Sequence, residues 1–288
     1  MYTWQKKMDV YETYVLGDGS GTTYVEVVPD RGSIVSRYVY KGKDVFYLDE
    51  ATLHDSSKNI RGGNPILFPI SSYLTDESYT FEGKEYSMKQ HGFARNLKGT
   101  VTEVRADEQS ASLTLVMEDL EETLARYPFH FRLVMTYRLD AEGLQVEAQV
   151  ENKDSKTMPF YLGYHPYFHV EDKTKLALDV PSASYSEMVE HSMEGGQFNL
   201  GQAESTVIFD ELTKPFSVLH DVARGLKVTV RADEDFRHVV LWTLKDKPFV
   251  CVEPWMAPVD ALNTGVGVQQ LAPGESRRFV IGIQPELV

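Results

Sequence analysis

Along most of the chain, apolar and polar residues alternate with a period of two. The run Leu144-Gln145-Val146-Glu147-Ala148-Gln149-Val150-Glu151 alternates without a miss. Successive side chains of an extended chain point to opposite sides, so this is the pattern of a strand with one buried and one wet face. Phe129 to Leu139 is a second strand-length run, and Asp140-Ala141-Glu142-Gly143 between the two predicts a hairpin turn. The same reading predicts hairpins at Ser33 to Tyr40 with Val45 to Leu48, around Lys41-Gly42-Lys43-Asp44, and at Tyr79 to Phe81 with Glu85 to Met88, around Glu82-Gly83-Lys84. Further strands are predicted at Thr23 to Val28, Thr100 to Val104, Ser112 to Met117, Leu226 to Arg231, His238 to Leu244, Phe249 to Glu253 and Arg278 to Ile283. Helical periodicity is nearly absent; one short helix is predicted over Glu118 to Tyr127, ended by Pro128. Many short strands with regular turns predict an all-β sandwich or barrel. No linker, composition shift or repeat divides the chain, so one domain over residues 1–288 is expected.

Charge narrows the partners. With 43 Asp+Glu against 29 Lys+Arg in 288 residues, the formal net charge is −14, and a field of that sign repels phosphate backbones and anionic lipid. No basic run offsets it, so neither nucleic acid nor a membrane is an expected partner. The single cysteine, Cys251, permits no internal disulfide and sits in the apolar run Phe249-Val250-Cys251-Val252, where a buried, inert thiol is expected. Met1 to Lys7 carries no apolar leader-like run. A cytoplasmic protein is expected, either a monomer or a homodimer.

Common chemical signatures are missing. Gly17-Asp18-Gly19-Ser20-Gly21-Thr22 lacks the third glycine of a dinucleotide loop and the Lys-Ser/Thr of a phosphate loop, and reads as a turn. His165 and His169 are spaced i, i+4, but Pro166 and the aromatics between them oppose the helix that would bring both onto zinc; no metal site is expected.

Four segments place polar groups inside apolar, turn-punctuated runs: Asn59-Ile60-Arg61-Gly62-Gly63-Asn64-Pro65-Ile66-Leu67-Phe68-Pro69, Lys89-Gln90-His91-Gly92-Phe93-Ala94-Arg95, Tyr161-Leu162-Gly163-Tyr164-His165-Pro166-Tyr167-Phe168, and Val250-Cys251-Val252-Glu253-Pro254-Trp255. Each has a structural alternative: Arg61 as a surface ion-pair partner, His91 and His165 as hydrogen-bonded core histidines, Glu253 as a strand cap. Together, an arginine, two histidines and a glutamate supply the parts for acid-base work on a neutral polyol. Trp255, Tyr164 and Phe168 would offer flat faces to a sugar ring.

In this order the four segments resemble the successive motifs of the aldose 1-epimerase (galactose mutarotase-like) family, over roughly residues 20 to 285. The motifs are Arg61-Gly62-Gly63 with Pro65 and Phe68-Pro69, Gln90-His91-Gly92-Phe93-Ala94-Arg95, His165-Pro166-Tyr167-Phe168, and Glu253-Pro254-Trp255 with Asp260-Ala261-Leu262-Asn263. The resemblance implies a large twisted antiparallel β-sandwich and an enzyme that interconverts the α and β anomers of a hexose by opening and closing the ring. By the same resemblance Glu253 is the general base and His165 the general acid. His91 hydrogen-bonds the ring oxygen or a nearby hydroxyl, and Arg61 binds substrate oxygens. Asp210 matches a later substrate-binding aspartate, with a turn aspartate as the alternative. No cofactor is implied.

Free-hexose members carry His-Gly-Gly at the second motif. The Gln90-His91-Gly92-Phe93-Ala94-Arg95 form resembles instead the glucose-6-phosphate 1-epimerase branch, in which positions matching Arg61, Gln90 and Arg95 contact substrate, and a bacterial LacX-like subgroup whose sugar the motif does not specify. Arg95 has a structural ion pair as its alternative. The expected substrate is a neutral hexose, with a hexose 6-phosphate as the alternative and a non-catalytic sugar-binding role as a third reading. Only Glu253 has motif support as a carboxylate, which argues against a two-carboxylate glycosidase.

Overall fold

A computed structural model describes residues 1–288. The alternating run becomes the strand Gly143–Asn152, whose even-numbered side chains from Leu144 to Asn152 are all buried. It pairs antiparallel with Phe131–Asp140 so that Asp140 faces Gly143 and only Ala141 and Glu142 form the turn. This hairpin supplies the fifth and sixth strands of an eight-stranded antiparallel sheet in the order Leu176–Asp179, Phe216–Asp221, Leu226–Ala232, Ser276–Leu287, Gly143–Asn152, Phe131–Asp140, Ser110–Glu118, Thr100–Ala106.

A second sheet runs in the order Ser182–Glu187, Glu204–Leu212, His238–Leu244, Phe249–Trp255, Gly163–Tyr164, Ile66–Leu67, with Tyr167–His169 also paired to Phe249–Trp255. A five-stranded meander, Thr3–Met8 to Lys43–Asp44, forms the third. Apolar faces of all three meet in one core of 57 buried residues, to which Leu133, Tyr137 and Val146 of the first sheet, Val207, Leu241 and Val252 of the second and Leu16, Val25 and Tyr38 of the third contribute. The fold is the antiparallel β-sandwich expected from the sequence.

The differences from the sequence reading are local. The helix of Glu118 to Tyr127 shrinks to Glu121–Leu124. The hairpin after Tyr40 turns at Lys41-Gly42, so its return arm is Lys43–Asp44, and Val45 to Leu48 is not a strand; Phe46 and Leu48 instead bridge singly to Phe168 and Gly62. The strands Thr3–Met8, Leu176–Asp179, Ser182–Glu187, Glu204–Leu212 and Phe216–Asp221 carry no strict alternation long enough to announce them.

The second sheet matters most for function. All seven residues of Phe249–Trp255 are buried because both faces are covered. Val250 and Val252 point into the sandwich core. With the period of two, Cys251, Glu253 and Trp255 point to the other face, where a cavity opens.

Candidate active site

Antiparallel register builds the floor of this cavity, because residues directly opposite one another share a face of the sheet. Glu253 lies opposite Val240, Cys251 opposite both Trp242 and Tyr167, and Trp242 opposite Thr206. Loops supply the walls. The cavity has a volume of about 360 Å³, within the roughly 300–1,000 Å³ usual for small-molecule sites. It is lined by Arg61, Gln90, His91, Arg95, His165 and Glu253, together with Trp255, Tyr167, Trp242, Thr206 and Glu204.

The glycines of the motifs explain how the wall residues reach it. Gly92 has φ +64°, and a Cβ there would sit 2.3 Å from the Phe68 carbonyl oxygen; at Gly63, with φ +63°, a Cβ would sit 2.4 Å from the Val35 carbonyl oxygen. Both loops therefore lie directly against the neighbouring backbone, as only glycine permits. His91 is itself left-handed, with φ +67°. It is held there by its backbone N–H donating to the Ser72 carbonyl at 2.7 Å.

The His91 ring lies 5.6 Å from that of His165 and 5.7 Å from that of Trp255, edge-on to both. Its Nδ1 is 3.1 Å from the Ser71 carbonyl oxygen. A carbonyl only accepts, so Nδ1 carries the proton and Nε2 presents a lone pair. Burial, with the Arg95 and Arg61 charges adding to it, pushes the His91 pKa down to about 3.

His165 stacks on Tyr167 with ring centroids 4.7 Å apart and meets Trp242 edge-on at 5.7 Å. Its Nε2 is 3.4 Å from Glu253 Oε1, and Glu253 Oε2 accepts from Trp255 Nε1 at 3.2 Å. Glu253 is 2% exposed and His165 9%. Burial raises the Glu253 carboxyl well above the usual carboxylate range, opposed only by the Trp255 hydrogen bond. Burial first, then His91, Arg95 and Arg61, lowers His165 well below the usual histidine range. Both groups are driven toward neutrality, so the pair holds one transferable proton between a strengthened base and a strengthened acid.

Arg61 is exposed at the rim, its guanidinium 5.4 Å from the centre of a Trp242 ring. Arg95 donates to the Gln90 carbonyl at 3.0 Å, and its buried Nε has no partner. No carboxylate is among the groups acting on Arg95, whose pKa burial and Arg61 lower. The structural ion pair that was the alternative for Arg95 is not formed.

Two expectations differ from the structure, for Asp210 and for Tyr164 with Phe168. Asp210 stands on the same strand as Glu204 and Thr206 but does not line the cavity: its Oδ1 is 2.6 Å from His238 Nδ1. Ile208, which follows Thr206 and precedes Asp210 on one face of that strand, packs with Val240, Leu67 and Trp255. Tyr164 and Phe168 are packed in the core, and the aromatic faces that reach the cavity beside Trp255 are Tyr167 and Trp242. His169 does not approach His165; its Nε2 lies 3.5 Å from Glu171.

Glu204, Thr206 and Trp242 escaped the sequence reading. Trp242 donates from Nε1 to Glu204 Oε1 at 2.8 Å. The alternation of His238 to Leu244 places Val240 and Trp242 on one face; which face looks into a cavity depends on pairing with Glu253 and Cys251.

Comparison with known proteins identifies the family. The family model for aldose 1-epimerase matches residues 12–284. The solved structure of the Slr1438 protein from Synechocystis sp. PCC 6803 is similar over 100% of both chains, at 34% identity and a TM-score of 0.92. A galactose mutarotase-like protein from Clostridium acetobutylicum shares the fold, with 19% identity, 100% and 99% coverage and a TM-score of 0.83. Protein LacX from Lactococcus lactis subsp. lactis is 26% identical over 234 residues, 71% of this chain and 77% of that protein. The chain belongs to the aldose 1-epimerase family and is an isomerase of the mutarotase type.

Proposed function

We propose that the enzyme interconverts the α and β anomers of a hexose, with Glu253 as base and His165 as acid. The observation that carries this reading is the buried contact of 3.4 Å between them. Glu253 takes the proton of the C1 hydroxyl while His165 delivers one to the ring oxygen. The bond from C1 to the ring oxygen breaks and C1 becomes an aldehyde. Rotation about the C1–C2 bond exposes the opposite face of the aldehyde to the freed hydroxyl, and the two proton transfers reverse.

Ring opening converts a carboxylate and an imidazolium into a carboxylic acid and a neutral imidazole, the charge state that burial favours. Desolvation thus makes Glu253 a better base and His165 a better acid for the same step. His91, neutral and with only Nε2 free, accepts from a sugar hydroxyl and has no proton to offer the ring oxygen. Tyr167, Trp242 and Trp255 present rings to the apolar faces of the sugar.

Arg61 and Arg95 favour a second reading, a hexose 6-phosphate, since two guanidinium groups on one wall suit a phosphate. Glu204 on the same cavity opposes an anion, and we place the neutral hexose first.

Polarimetric equilibration of pure α-glucose and α-galactose tests the chemistry. Glu253→Gln and His165→Asn should each slow it by at least about 10²-fold while leaving the fold intact, and unchanged rates in both would sink the assignment. Comparing kcat/KM for glucose and glucose 6-phosphate by exchange NMR, with and without Arg95→Ala, tests the substrate. A preference for the phosphate that Arg95→Ala removes would promote the second reading.

A further inference from the structure

We propose that the cluster of His165, Glu253 and, just beneath the cavity floor, Cys251 binds a thiophilic divalent cation of the zinc class, and that its occupancy switches the enzyme off. A ring nitrogen of His165, a carboxylate oxygen of Glu253 and the sulfur of Cys251 all lie within 4.8 Å of one another, and all three residues are buried. The fold itself brings them together. Cys251 and Glu253 are two apart on one face of the strand Phe249–Trp255, and Tyr167, on which His165 stacks, lies opposite Cys251. The sequence offered only His165 and His169 as a metal pair; the third dimension replaces His169 by a thiol and a carboxylate.

The donor set selects the ion. One nitrogen, one sulfur and one oxygen suit zinc and its neighbours, whereas magnesium and calcium require oxygen throughout. A tetrahedral zinc with bonds of about 2.0–2.3 Å would set these donors roughly 3.3–3.6 Å apart. His165 Nε2 and Glu253 Oε1, 3.4 Å apart, already have that spacing, and the widest of the three separations must close by at most roughly 1 Å. Three protein ligands leave the fourth position to water or a sugar hydroxyl from the cavity.

Charge balance permits the ion despite burial. The thiol proton and the one proton of the Glu253–His165 pair leave to solvent, and one divalent cation takes their place. The cluster remains neutral, with no uncompensated buried charge. Metal–sulfur, metal–nitrogen and metal–oxygen bonds form, and nothing is oxidised or reduced. Arg61 and Arg95 oppose the cation, while the molecular charge of −14 attracts it. Once ligated, Glu253 and His165 can neither take nor give a proton. The inhibitory half of the proposal rests on the acid-base reading above; the binding half does not.

The test uses the full-length protein stripped with EDTA, and Cys251→Ala, whose side chain is outside the catalytic pair and the cavity lining. Titration with cobalt(II) chloride should give a thiolate-to-cobalt absorption band saturating at one equivalent, absent in Cys251→Ala. Zinc chloride at one equivalent should arrest anomer interconversion, EDTA should restore it, and magnesium chloride should do nothing. Cys251→Ala should keep its activity in EDTA and need at least the roughly 10-fold more zinc that even an outer-shell partner is worth. Cys251→Ser serves in its place if the alanine variant does not fold. No thiolate band in the parent protein, or equal zinc inhibition of parent and variant, would overturn the site. Absence of mutarotase activity in EDTA would instead overturn the catalytic reading and leave the cobalt result standing.

Discussion

His91 donates from Nδ1 to Ser71 in a dry wall beside two arginines, and its pKa of about 3 against an ordinary 6.5 has a measurable consequence. The unfolded chain takes up a proton as pH falls through about 6.5, and the folded chain does not until about 3. Stability from this residue is therefore complete above the ordinary histidine range and is lost on acidification, at up to about 1.4 kcal/mol per pH unit. His91→Gln should flatten the fall in the urea midpoint between neutral and mildly acidic pH; identical slopes would mean that His91 is charged in the folded state. Glu253 has the opposite sign. Its folded pKa is raised, so its cost grows as pH rises above the ordinary carboxylate range. Glu253→Gln should thus inactivate the enzyme while leaving the urea midpoint at alkaline pH equal to or above that of the parent, the trade between activity and stability that active sites show. For the pair as a whole, activity should be flat across the middle pH range and fall at both ends, where the mobile proton is doubled or lost. A single sharp titration inside that plateau would contradict it. The proposed acid and base were legible in the sequence as residues; the direction in which their pKa values shift was not, because it comes from burial by elements remote in the chain.

At the scale of elements, the motif glycines carry the argument. Gly92→Ala would drive a Cβ against the Phe68 carbonyl in a left-handed backbone. Strain and collision together should cost more than about 2 kcal/mol, read as a lower urea midpoint, and should displace His91 so that activity falls as well. Full stability of that variant would refute the close approach of the loop to the sheet. The central strands were legible because Leu144 to Glu151 alternates over a full strand length. The edge strand Thr3–Met8 was not, since all six of its residues are exposed and leave no apolar stripe to read. Lys43–Asp44 reads as turn in the sequence, because a two-residue arm is too short to repeat a period of two.

For the whole molecule, the charge of −14 offers an anionic sugar no long-range attraction, and screening at physiological salt confines surface fields to about 8 Å. For a neutral hexose, kcat/KM should accordingly not change with ionic strength; a strong salt dependence would point to the phosphorylated substrate and to Arg61 and Arg95 as its local anchor. No helix is long and apolar enough to cross a membrane. By itself the sequence determined an all-β protein, the four motif segments and the residues in them able to exchange protons, because alternation and residue chemistry are local properties. Tertiary structure alone decided what stands beside what. Strand register put Cys251 beside the proposed acid-base pair and Trp242, Thr206 and Glu204 along the floor, and left Asp210 beside His238, outside the cavity lining. It also buried Tyr164 and Phe168 and turned Tyr167 outward to the site. A strand's pattern tells that its two faces differ, but which face meets the core and which meets a ligand depends on partners far along the chain.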